Sequence, residues 1–239
     1  MKKTIFCIVC CALFVSCAGP KGETGAQGPA GPSGPELPGL YFIRIFQQGV
    51  YSPLYAGQVQ TSMRDTYTGP VYTNAANPLG VGDDGATGRF RTIIKFDIST
   101  LPRTKIIVDK AELTIRTNSV SVNGGASGVT LHKVTKTWTM FEAGYGQKEV
   151  NSVWNEPGGD FEATTMTTSA SYNLAPDSTI TIGLDPEVVR DWMMNPEANY
   201  GVLMKSGNEF VHNYSEIYSS GALDSSKRPM LKIWYYTTE

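Results

Sequence analysis

Five side chains fall where they can recognise an acidic sugar. Arg89, Arg91 and Lys95 occupy odd positions of the run RFRTIIKFD, residues 89–97. An extended backbone therefore turns all three to one side, with Ile93 among them, and Phe90, Ile94 and Phe96 to the other. Guanidinium groups are planar and match carboxylates in pairs, so such a face can be a cationic strip for uronates. It can equally be an ordinary solvated strand face. In LKIWY, residues 231–235, Leu231, Ile233 and Tyr235 alternate with Lys232 and Trp234. An outward indole beside a lysine is a platform for a pyranose ring. The same Trp234 can instead be covered by the β-rich run from Tyr41 to Phe46. Asp83 and Asp84 precede Gly85 and offer hard oxygens for calcium. The full spaced-acid loop is missing, and a polar turn is the competing reading.

Other chemistries find little support. His132 and His212 are the two histidines, and their flanks carry no metal-ligand spacing. There is no Gly-x-Ser-x-Gly elbow and no phosphate-binding glycine loop. Carboxylates are plentiful, but nothing singles out a glycosidase pair. Lys plus Arg total 20 against 22 Asp plus Glu, so the chain lacks the basic field of a nucleic-acid binder.

The elements that must carry these residues read as β structure. Residues 40–46, 89–97, 111–117 and 230–236 form β-rich or alternating runs. In the third, Leu113 and Ile115 point inward, with Glu112, Thr114 and Arg116 outward. Further apolar pairs mark more strands: Val129/Leu131, Ile180/Ile182 and Val202/Met204. Turn clusters separate them at 83–85, 123–125, 157–159 and 220–221. Many short strands at this spacing predict an all-β sandwich or jelly roll. One helix interrupts, with Asp185 as cap, Pro186 in its first turn and a stop before Asn195-Pro196. Trp138, Trp154 and Trp192 are expected in or at the edge of the core.

The first 39 residues are of another kind. Met1-Lys2-Lys3 precedes an apolar run from Ile5 to Val15, too short for an ordinary membrane span. It ends in Phe14-Val15-Ser16-Cys17, which resembles a bacterial lipobox. The expectation is a signal peptide over 1–16 and a lipidated Cys17, placing the protein on the bacterial cell envelope, at the outer membrane or cell surface; the competing reading is an ordinary signal cut near Ser16 or Ala18. All four cysteines, 7, 10, 11 and 17, lie in this segment, so the mature head holds no disulfide and no thiolate site. Glycine then recurs at 19, 22, 25, 28, 31 and 34, giving six uninterrupted Gly-X-Y triplets before Leu37-Pro38-Gly39. This resembles bacterial collagen-like segments. A triple helix closes only where the axial residue lacks a side chain, so the run permits a homotrimer. It can equally be a monomeric spacer, about 50 Å long when extended. Residues 17–39 are thus a stalk, and 40–239 a head.

From about Asp65 to Tyr235 the head resembles the DNRLRE domain, also classed as the family-ninety-six carbohydrate-binding module. The resemblance rests on short phrases in order: Asp65-Thr66-Tyr67, LGVG at 79–82, RTIIKFDISTL at 91–101, AELTI at 111–115 and LHKV at 131–134. Then come Thr137-Trp138-Thr139, Val153-Trp154-Asn155, IGLD at 182–185 leading into Val188–Trp192, and YGVL at 200–203. IYSS at 217–220 and RPML at 228–231 complete the order. The naming string itself is absent. Met140 stands where the family has an acid, and the spacer from Trp138 to Trp154 is long, carrying Phe141, Tyr145 and Lys148. The resemblance implies a non-catalytic β-sandwich that binds polysaccharide, some members binding alginate. The competing expectations are a structural or adhesive surface protein assembling through the triplets, and an enzyme such as a polysaccharide lyase.

Overall fold

The computed structural model describes residues 39–50, 55–67, 78–122, 125–169 and 171–238. The signal peptide, Cys17 and the stalk up to Pro38 lie outside the described residues. The head belongs to the unit Leu37–Glu239.

In chain order the strands are β1 (Tyr41–Gln47), β2 (Gln58–Arg64), β3 (Leu79–Asp83), β4 (Arg89–Phe96), β5 (Ile106–Val122), β6 (Thr130–Val134) and β7 (Gln147–Glu149). They continue with β8 (Ser152–Val153), β9 (Phe161–Thr165), β10 (Thr179–Leu184), β11 (Val202–Lys205), β12 (Asn213–Ile217) and β13 (Met230–Thr237). Helix α1 (Pro186–Met194) follows β10. These strands pair antiparallel throughout. The head is all-β, a sandwich with one short α-helix among the described residues, as the alternation predicts.

The strand path runs β1-β13-β5-β12-β3-β4-β11-β6-β9, with β10 also on β5 and β2 also on β4. The 17-residue β5 makes the corner. Its first part pairs with β13 and β10, and the part from Thr117 onward pairs with β12. At the changeover the Thr117 backbone N–H donates to Ser178 O at 2.9 Å and its hydroxyl to Ala175 O at 2.6 Å. β1, β13, β5 and β10 thus form one sheet, and β12, β3, β4, β2, β11, β6 and β9 continue into a second.

The main core lies between the inner faces. Leu113, Ile115, Ile182, Leu231 and Ile233 come from the first sheet, and Leu79, Val81, Ile94, Leu131 and Met204 from the second. Val189, Trp192 and Met193 of α1 join it. The helix begins because Asp185 accepts from Glu187 N–H at 2.9 Å and Pro186 follows directly.

A second, smaller core covers the outer face of the second sheet. Met63, Ile93, Leu203 and Val134 point away from the main core and meet Ala143 and Trp154. Trp138, Tyr145 and Phe161 pack around them. Trp154 Nε1 donates to Gly144 O and Trp138 Nε1 to Tyr200 O, both at 2.8 Å. The long Trp138–Trp154 spacer, with the β7–β8 hairpin, is therefore a cover that buries one face of the sandwich.

Candidate functional site

That cover changes the reading of the cationic strip. Arg91 does point away from the main core, but it points into the second one, and its side chain is 12% exposed. Its guanidinium holds Glu209 in a two-point pair, Nε to Oε1 and Nη2 to Oε2, both at 2.7 Å. Nη1 donates to Gly158 O at 3.1 Å, and the rings of Tyr145 and Phe161 flank the group at 5.6 Å each. Gly158 has φ +91°, and a Cβ there would lie 2.5 Å from Arg91 Nη1, so both the turn and the close approach require glycine. Burial works against the Arg91 charge, but the hydrogen bonds and charge of Glu209 outweigh it and raise its pKa. Arg91 is a structural cation, and the expectation that it lies on an outward strip is corrected.

Arg89 is also engaged. Its Nε donates to Asp65 Oδ2 at 2.6 Å and its backbone N–H to Oδ1 at 2.9 Å, while Phe210 stacks 5.2 Å from the guanidinium. Lys95 is separate from both. It lines an open depression of about 510 Å³ with Asp97, Arg103, Glu197 and Asn199. The three cations share a strand face by alternation, yet they do not act as one strip.

Trp234 lies on the opposite side of the sandwich, on the outer face of the first sheet. β1 does not cover it. β1 pairs edge to edge with β13, placing Ile43 opposite Trp234 and Tyr41 opposite Tyr236. The indole is partly exposed, with Lys232 Nζ 4.5 Å and Lys110 Nζ 5.0 Å from its ring. Lys110 arrives from β5, opposite Trp234 in the register. Its ammonium also meets Glu112 at 2.6 Å. Lys232 and Trp234 are thus brought together as alternation predicts, but the strand of Arg89, Arg91 and Lys95 does not adjoin them. Lys110 was not among the residues expected here. Its place depends on β5–β13 register and on a bulge between Trp234 and Tyr235.

This face can bind without doing covalent chemistry. Two ammonium groups sit over an aromatic face on flexible four-carbon stems. A carboxylated sugar can displace them from the ring, stack on the indole and keep its carboxylates within their reach.

The acidic turn is built differently. Asp84 Oδ1 accepts from the backbone N–H groups of Ala86, Thr87 and Gly88 at 3.0, 2.6 and 3.0 Å, and Oδ2 from the Thr87 hydroxyl. Burial would raise the Asp84 pKa, but these hydrogen bonds prevail and lower it. Asp83 Oδ1 accepts from Gly85 N–H at 2.7 Å and lies 3.4 Å from His212 Nδ1. Asp84 thus spends its oxygens on its own loop, and no group of three or more His, Cys, Asp or Glu suited to a metal occurs among the described residues. His132 is held by Glu162 O at 2.9 Å and Thr130 Oγ1 at 3.0 Å, and burial pushes its pKa down.

No protein-family model matches this chain, and neither does any curated protein.

Proposed function

We propose that the head is a non-catalytic module that binds an acidic polysaccharide on the outer face of its first sheet. In this reading acylated Cys17 holds the protein at a bacterial envelope, and the Gly-X-Y run separates the head from the membrane. The observation that carries the binding reading is Trp234, partly exposed on an open sheet face with Lys110 and Lys232 over its ring. The ordered DNRLRE-like phrases support it from the sequence side. The engagement of Arg89 with Asp65 and of Arg91 with Glu209 moves the recognition role away from those two residues.

Affinity electrophoresis through gels containing alginate, pectin or a neutral glucan tests the reading. The head should be retarded by the acidic polymers, and retardation should weaken with salt. Trp234→Ala should abolish it while leaving the denaturation midpoint nearly unchanged. Equal migration of wild type and Trp234→Ala in every gel overturns the proposal.

A further inference from the structure

We infer that the N-terminal edge of the head is a contact surface between copies of this chain. Three observations meet there. The first is apolar exposure. Leu40 is 71% exposed, Tyr41 47%, Ile43 45% and Ile107 49%. Tyr41, Ile43 and Ile107 share the outer face of the first sheet. Tyr236 lies between two of them, paired with Tyr41 on one side and Ile107 on the other. Large apolar side chains gathered in one place mark an interaction surface, unlike those scattered singly.

The second is an open strand edge. β1 is the terminal strand of the path and pairs only with β13 among the described strands. Its sequence, YFIRIFQ, has Arg44 as its one charge and no proline, so it carries little of what usually guards an edge against another chain.

The third is what precedes it. The last glycine of the six-triplet run is Gly34, and β1 starts at Tyr41. Seven residues span at most about 25 Å. Three chains wound through the triplets would therefore deliver three copies of this edge within reach of one another. That argument selects the occupant: a second and third copy of the same chain. The two features need each other. A stable interface buries about 800 Å² per partner, more than a few side chains supply, and six triplets make a short triple helix. Joined covalently, each raises the effective concentration seen by the other.

Site-specific photocross-linking in cells expressing the full chain tests this. A benzophenone amino acid replaces Ile43 or Ile107, and Thr181, on β10 of the same sheet face but away from this edge, serves as control. Positions 43 and 107 should give adducts at two and three times the chain mass, and position 181 should not. The adducts should be lost when the triplet register is broken by Gly28→Ala with Gly31→Ala. No adduct at 43 or 107, adducts only to other proteins, equal self-adducts at 181, or adducts that survive the broken register would each overturn the inference. Ile43 is also the cross-strand neighbour of Trp234, but polysaccharide binding is read by gel retardation and self-contact by cross-linking, so either idea can fail alone.

Discussion

The two outer faces of this sandwich carry similar side chains to opposite ends. On the second sheet, Arg91 sits between Tyr145 and Phe161 under a cover, and its charge is spent on Glu209. On the first sheet, Lys110 and Lys232 flank Trp234, and all three stay at least partly exposed. Cation beside aromatic is the shared motif. Burial decides whether it holds the fold or remains open to a ligand.

Breaking the covered pair should have the largest effect. Arg91→Ala leaves Glu209, 10% exposed, without its partner and should cost about 3–5 kcal/mol in urea denaturation. Replacing both with Met should cost clearly less than Arg91→Ala alone, because no uncompensated charge is left. If Arg91→Ala were neutral, the contrast between the faces would collapse.

A smaller effect is expected at the rim of the covered face, where Asp65 meets Arg89. Burial would raise the Asp65 pKa, but the side-chain and backbone hydrogen bonds of Arg89 lower it below its ordinary 3.8. A carboxyl depressed in the folded state contributes stability that is fully present above its unfolded pKa and is lost as pH falls through the folded value. Asp84 has the same sign. Stability of the wild type should therefore fall as pH drops below about 4. Asp65→Asn should lower stability at pH 7 by about 1–3 kcal/mol and flatten the acid limb. An unchanged acid limb would count against the Asp65–Arg89 pair as its source.

The open face should be the least sensitive in stability. Lys110→Ala with Lys232→Ala should stay within about 0.5 kcal/mol of wild type. Its effect should appear instead in gels, as weaker retardation by alginate and a shallower dependence on salt. Unfolding of this double variant would show that the lysines are structural, like Arg91.

Alternation explains why some of this was legible in the sequence. The inner faces of β4, β5 and β13 follow from Phe90/Ile94/Phe96, Leu113/Ile115 and Leu231/Ile233, and the outward Trp234 follows with them. β2 was not legible, because its inward residues are polar. Gln58 Nε2 donates to Gln60 Oε1 at 3.0 Å, Gln60 Oε1 also accepts from Ser220 N–H at 3.1 Å, and the Ser62 hydroxyl accepts from Gly80 N–H at 3.2 Å. A strand satisfied by hydrogen bonds leaves no hydrophobic trace. The Arg91–Glu209 pair joins positions 118 apart, and alternation can say that Arg91 leaves the main core but not that another core awaits it. Lys110 was hidden for a related reason, since only strand register brings it to Trp234.

The long corner strand also has a mechanical consequence. A pull through the N-terminal segment enters the head at Tyr41 and must cross the seven-residue β1–β13 ladder. Antiparallel hydrogen bonds lie perpendicular to their strands. Tension along β1 therefore loads the ladder bonds together in shear, whereas tension across it opens them one by one. Beyond β13 the force reaches β5, which is bonded into both sheets, so the load is shared across the sandwich. Were the head held through its N-terminal segment, the weak link would be the edge strand β1, and the direction of pull would set how weak that link is.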